Sequence, residues 1–337
     1  MSIKTKAALG AIAGVLALTG CSASGSAGAD QLSVVGFSVL ESANKPQFEA
    51  FDKTEQGKGT TFKTSYGASG DQSRAVEGGL DADFVHFSLE PDITRLVDAG
   101  LVAENWKDGP TKGIVTSSVV SFVVRKGNPK NIKTWDDLVK PGVQIITPNP
   151  ASSGSAKWNI LAAWGHITGQ GGSEADAKAF VTKFLKNTIA LPGSGREATT
   201  AFSEGNGDVL ISYENEAILA RENGEDFDYV VPDDTLLIEN PGAVTKGSDP
   251  KAQDFLDHLL TPEGQAEYAT FGFRPVVDGV TLPEIKGAND AADPFPAPGT
   301  LLTVDNDFGG WAEANKKFFD EESGIITQLQ AETGKAE

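Results

Sequence analysis

Residues 149–165 read NPASSGSAKWNILAAWG. Leu161 and Ala162 lie three and four residues after Trp158, and Gly165 lies four and three after them, the spacing of a single helical face, and four small residues, Ser152, Ser153, Gly154 and Ser155, stand directly before this run of residues. A helix start exposes several unpaired backbone N–H groups and carries the positive end of the helix dipole. A start with almost no side chain lets a guest approach those groups closely, and the guest that such a place suits is an anion. The plainer reading is a serine N-cap with a glycine that eases the turn. The rest of the chain decides between the two.

Outward from this stretch, short apolar runs alternate with amphipathic helical patterns, which argues for an α/β fold. Six of the runs stop at small or polar tips with a helical pattern behind them. LSVVGF (32–37) stops at Ser38 before PQFEAFDK, residues 61–63 at SYGASGD before QSRAVEGGL, and residues 85–87 at SLEPDITRLVDAG. Residues 143–146 stop at the opening stretch, 189–191 at PGSGRE, and 209–212 at YENE before AILARENG. In open α/β sheets ligands bind just beyond the carboxyl ends of the strands. Three tips carry a Ser/Gly cluster, Ser69-Gly70, Ser153-Gly154-Ser155 and Gly193-Ser194-Gly195, a coincidence that points to one shared guest. Two further extended runs, SSVVSFVV (117–124) and TLLIENPGAV (235–244), have no such place in the pattern. As antiparallel neighbours they would carry the chain from one lobe to another and back; the alternative is a pair of sheet-edge strands.

The first residues have a different character. Lys4 and Lys6 precede an apolar stretch over 8–18 that is too short to span a membrane as a stable anchor, and the segment ends Leu18-Thr19-Gly20-Cys21. This is a secretory signal over residues 1–20, and its ending resembles the lipobox of bacterial lipoproteins, in which the cysteine becomes the lipid anchor. Cys21 is also the single cysteine of the chain, so no internal disulfide can form. The following SASGSAGAD makes residues 21–30 a flexible tether. The whole chain carries 28 Lys+Arg against 47 Asp+Glu, and removing Lys4 and Lys6 leaves 26 against 47, a net charge of −21. So acidic a body is a poor nucleic-acid binder. An anion at the strand tips would have to be held by local dipoles, which act at contact distance while surface carboxylates are screened over about 8–10 Å.

No catalytic or metal-binding constellation stands out, and no cofactor is called for. His86, His166 and His258 sit in unrelated contexts, and no GxxxxGK[ST] occurs. Glu214 and Glu216 flank Asn215 after a strand; they could serve a surface-tethered hydrolase, and the plainer reading is a solvated loop. A tethered interaction protein without a small ligand is the other alternative.

Several stretches carry a resemblance: VRKGNP (124–129), KPGVQIITPNPASSGSAKWNILAAWG (140–165), GDVLISYENEAIL (207–219), LTPEGQAEY with FRPV (260–276) and DFGGWAEA (307–314). With these the chain resembles the sulfate-binding proteins of bacterial ABC importers, within the two-lobed periplasmic-binding-protein superfamily. The resemblance implies a clamshell of two doubly wound α/β sheets joined by a two-strand hinge, with residues 31–115 in lobe I, 116–236 in lobe II, and 237–337 as the return to lobe I plus C-terminal helices. It also implies dehydrated sulfate held by backbone N–H groups at helix starts, a serine hydroxyl and a tryptophan N–H. Carried over, the ligand-binding residues are Ser38, Ser69, Ser153, Gly154, Ser155, Gly195 and Tyr213. Three depart from the family pattern: Ser38 replaces an aspartate, Ser155 a glycine, and Tyr213 an indole donor. Each still offers a donor, through backbone N–H at Ser38 and Ser155 and through the hydroxyl of Tyr213, which can also accept. The implied role is a monomeric lipoprotein on the outer face of the cytoplasmic membrane, or facing the periplasm, that delivers sulfate to an ABC permease. Thiosulfate, molybdate or phosphate is the alternative cargo. Arg196, just behind Gly195, falls in a first helical turn, placed to balance nearby carboxylates or to lie on the surface.

Overall fold

The computed structural model describes residues 30 to 335. The signal segment, Cys21 and the tether as far as residue 29 lie outside the described residues.

The chain alternates strands and helices: β1 (Gln31–Phe37), α1 (Leu40–Asp52), β2 (Thr61–Gly67), α2 (Ser69–Glu77), β3 (Phe84–His86) and α3 (Glu90–Asp98). Strand β4 (Ile114–Arg125) opens the second half, followed by α4 (Trp135–Leu138), β5 (Ile145–Ile146), α5 (Gly154–Thr168), α6 (Glu174–Asn187), β6 (Thr188–Ala190), α7 (Gly195–Ser203), β7 (Val209–Tyr213), α8 (Glu214–Glu222) and β8 (Phe227–Val230). Strand β9 (Asp234–Val244) leads back to α9 (Lys251–Leu259) and α10 (Pro262–Thr270), and the chain closes with β10 (Thr300–Leu302), α11 (Val304–Phe308), α12 (Trp311–Phe319) and α13 (Ile325–Glu332).

The strands lie in the order β2-β1-β3-β9-β4-β7-β5-β6, with β10 beside β9 and β8 beside β4. On one side β1 pairs in parallel with β2 and β3; on the other β5 pairs in parallel with β6 and β7. The two long strands join these halves. Residues 114–119 of β4 run antiparallel to 237–241 of β9, while Val120 to Val124 of β4 pair with β7, and Gly242 to Val244 of β9 pair with β3. Each strand therefore leaves one sheet and enters the other, as the two extended runs lead one to expect of a hinge. Residues 115 to 124 are buried without interruption, which accounts for a continuous β-branched run where an exposed face would impose alternation.

The helices that follow strands start earlier than their sequence patterns indicate. Helix α1 begins at Leu40 and runs through Pro46, and α2 begins at Ser69 itself. Tertiary contacts hold α1 against the proline: Asn44 donates to the Tyr66 hydroxyl at 3.0 Å and accepts from the Tyr268 hydroxyl at 2.8 Å, and Gln47 donates to the carbonyl of Gly264 at 2.7 Å.

The segment after β9 divides. Helices α9 and α10 return to α1 in the first half. Farther on, Asn289 donates from its backbone to the Tyr229 hydroxyl of β8 at 3.0 Å. In α12, Trp311 packs edge-on against Trp158 and Phe318 against Trp164, both on α5. Helix α13 lies on α6, and α12 also touches α3. The C-terminal helices after the return of the chain are thus fastened to the second half by aromatic side chains, while α12 also reaches α3.

Candidate anion-binding site

Three helix starts, α2, α5 and α7, meet with the ends of β1 and β3 around a small, tight cavity lined by Phe37, Ser38, Gly67, Ala68, Ser69, Ser88, Ser153, Gly154, Ser155 and Gly195. The separated Ser/Gly clusters of the sequence come together here. Of the residues expected from the sequence, Ser38, Ser69, Ser153, Gly154, Ser155 and Gly195 line it and Tyr213 does not.

Ser153 occupies the N-cap position of α5 with extended backbone, φ −102° and ψ 123°, yet its side chain makes no capping bond. Its own N–H donates to the carbonyl of Asn149 at 2.8 Å. The N–H groups of Gly154 and Ser155 have no acceptor among the described residues. Gly154 is required by space: a Cβ there would meet Ser88 Oγ at 2.4 Å and Ser88 Cβ at 2.6 Å. At α7 the Ser194 hydroxyl accepts from the Glu197 N–H, an ordinary cap, and the Gly195 N–H is left free among the described residues. At α2 the Ser69 N–H is likewise free. Its hydroxyl is engaged, donating to Asp92 at 2.5 Å and accepting from the Ser88 N–H at 2.9 Å. Ser38 departs from expectation: its N–H donates to the carbonyl of Gly67 at 2.8 Å, because β1 keeps its pairing with β2 to the end. Only its hydroxyl remains for a guest.

Tyr213 stands one residue behind the cavity. It is buried, and its hydroxyl lies 2.7 Å from Ser88 Oγ. Burial raises its pKa above the ordinary phenol range, opposed by hydrogen bonding from Ser88, Ser155 and Asn240. Ser88, which the sequence reading passed over, is held on three sides. Besides its N–H bond, its carbonyl accepts from Trp158 Nε1 at 3.0 Å and Asn240 Nδ2 at 3.1 Å. The available signal was its position, directly after the apolar run 85–87 as Ser38 is after the run 32–37.

No charged side chain lines the cavity. Charges sit behind it and are matched to one another. Burial raises the Asp92 carboxyl above its ordinary value, opposed by Ser69 and Lys157. Burial also lowers Lys157, whose ammonium donates to Asn315 at 2.8 Å. Arg196 pairs with Glu216 at 2.9 Å, and Arg274 grips Glu214 through Nε at 2.7 Å and Nη2 at 3.1 Å. Glu214 and Glu216 are buried, which overturns the solvated-loop expectation: they fill the start of α8, where the dipole and the two arginines hold them. His86 is buried, and its pKa is lowered to about 3 by that burial. A larger groove lies between α7 and α8, but Glu204, Glu216 and Glu225 line it against Arg196 alone and it opens to solvent, so it is a poor place for an anion. Among the described residues no group of three His, Cys, Asp or Glu could hold a metal ion, and no helix is long and apolar enough to cross a membrane.

The two halves touch across the cavity. Gly70 N–H reaches the carbonyl of Ser152 at 3.2 Å, Trp158 the carbonyl of Ser88, and Arg196 the carbonyl of Val39 at 3.4 Å. What the arrangement offers is a small space lined by residues of both halves whose N–H groups are free, with hydroxyls between them and no charged side chain in the lining.

The sequence profile of the family described as "Bacterial extracellular solute-binding protein" matches residues 34–274. A sulfate-binding protein of Synechococcus elongatus is 41% identical over 96% of this chain and 95% of its own. A thiosulfate-binding protein of Pseudomonas aeruginosa is 38% identical over 84% of this chain and 86% of its own. The structure of the sulfate-binding protein SubI from Mycobacterium tuberculosis superposes with a TM-score of 0.80 at 46% identity, covering 86% of this chain and all of that one.

Proposed function

The chain belongs to the bacterial extracellular solute-binding proteins, and from that premise we propose that it captures sulfate outside the cell and delivers it to an ABC permease. It is a binding protein and not an enzyme, as its sulfate-binding relatives are. The observation that carries the sulfate reading is the convergence of the free N–H groups of Ser69, Gly154, Ser155 and Gly195 on one cavity without a charged side chain. Dipoles fixed in advance can hold a dehydrated dianion without the reorganisation that water would need. In this reading Ser38, Ser69, Ser153, Gly154, Ser155 and Gly195 bind the ion, and Tyr213 acts through Ser88.

Lobe I takes the residues up to about 115 with α9 and α10, lobe II takes 116–236, and β4 and β9 are the hinge between them. Calorimetric titration of the monomeric protein from Ser22 onward with sulfate tests the reading, and absence of heat and of saturation would sink it. The thiosulfate-binding relative favours one second cargo; thiosulfate binding more tightly than sulfate in a competition titration would decide for it. We also propose that Cys21 carries a lipid that holds the protein on the outer face of the membrane. Cys21→Ala should then appear in the soluble fraction or retain its leader, and a processed, membrane-bound variant would refute the anchor.

A further inference from the structure

Tyr213 occupies the position where the family pattern has an indole, a group that can only donate. In this chain the phenol does not reach the cavity; it ends on Ser88 Oγ at 2.7 Å, with either atom able to be the donor, and it is Ser88 that lines the space. The backbone of Ser88 cannot turn. Its N–H is given to Ser69 Oγ, and its carbonyl receives Trp158 and Asn240. The hydroxyl proton can turn, and Gly154 leaves room for that hydroxyl against the start of α5.

We propose that Ser88 is a ligand-contacting, specificity-determining residue, and that the Ser88–Tyr213 hydroxyl pair is a reversible donor–acceptor switch that admits singly protonated tetrahedral oxyanions, such as hydrogen phosphate, beside sulfate. With sulfate, Tyr213 donates to Ser88 and Ser88 donates to the ion. With hydrogen phosphate the chain reverses: the ligand's O–H donates to Ser88, and Ser88 donates to the Tyr213 hydroxyl, which turns its own proton away from Ser88. A ring of N–H groups alone would leave the ligand's proton facing other donors, a mismatch that weakens binding by roughly tenfold or more. The inference rests on the reading that this cavity takes sulfate.

The test is titration of the Ser22-onward protein with sulfate and, separately, with inorganic phosphate at pH 8, reading the ratio of phosphate Kd to sulfate Kd. Wild type should bind both. Tyr213→Phe removes the group to which Ser88 passes its proton, and the ratio should rise about tenfold. Tyr213→Trp, which donates and cannot accept, should raise it likewise, so the test survives misfolding of either variant. Ser88→Ala should weaken sulfate by about tenfold. A role limited to packing would weaken both anions by the same factor, so ratios within threefold of wild type in both Tyr213 variants overturn the switch. Sulfate affinity unmoved in Ser88→Ala overturns the contact. Wild type that binds sulfate and no phosphate sinks this inference alone, whereas wild type that binds neither sinks the reading beneath it.

Discussion

Helices α5 and α8 start at the ends of neighbouring strands in the same half of the molecule, and each presents the positive end of its dipole to a buried place. They resolve it in opposite ways. Helix α8 opens with Glu214-Asn215-Glu216, and its carboxylates, buried and gripped by Arg274 and Arg196, answer the dipole from within the chain. Helix α5 opens with Gly154-Ser155 after an N-cap serine that makes no capping bond, and its N–H groups face a cavity. The presence of a helix start thus says little by itself. A binding site arises where the protein withholds its own anion, and a structural joint arises where it supplies one.

The contrast can be broken first at α8. Arg274→Ala leaves Glu214 buried without its partner, and the expected cost is about 3–5 kcal/mol of folding stability, read by urea unfolding in the absence of sulfate. A loss below about 1 kcal/mol, in the range of an exposed pair, would mean that the arginine is not what holds that carboxylate. At α5 the corresponding test strikes binding instead. Gly154→Ala drives a methyl into Ser88, and overpacking of this kind costs about 1–3 kcal/mol, a loss of roughly tenfold to a hundredfold in sulfate affinity. If the two halves part in the absence of sulfate, the unfolding midpoint should move much less; equal sulfate affinity in the variant would remove Gly154 from the site. The finest test compares two N-caps. Ser153→Ala should weaken sulfate binding by about 1 kcal/mol and leave stability unchanged, because its hydroxyl caps nothing. Thr261→Ala should do the reverse, costing about 1 kcal/mol of stability, since its hydroxyl accepts from the Gly264 N–H at 3.0 Å. A stability loss in Ser153→Ala equal to that of Thr261→Ala would erase the distinction.

Much of this was legible in the sequence where local pattern and chemistry agree. The runs at 117–124 and 235–244 lie inside β4 and β9, the first because a strand buried on both faces carries no alternation. The small-residue tips fall where strands end, because only small residues let backbones from two halves meet. What was not legible depends on partners distant in sequence. Nothing near Glu214 announces Arg274, sixty positions away, so its burial could not be read locally. Pro46 looks like a helix start until Asn44 and Gln47 find Tyr66, Tyr268 and Gly264. The Ser38 N–H looked available because its engagement with Gly67 depends on how far β1 and β2 remain paired. Tyr213 was expected at the guest's surface because it aligns with an indole, but its hydroxyl stops at Ser88.

The burial of the site has a kinetic meaning. Ser69, Ser88, Ser153 and Ser155 are each less than 5% exposed, so an ion held among them is largely screened from water while the halves touch. If β4 and β9 bend as a hinge, the ion's departure would be tied to that bending as well as to its own hydrogen bonds, and the off-rate would then fall in the microsecond-to-millisecond class of such motions or slower. A substitution in those strands, far from any contact with the ion, would change how long it stays without changing what it touches.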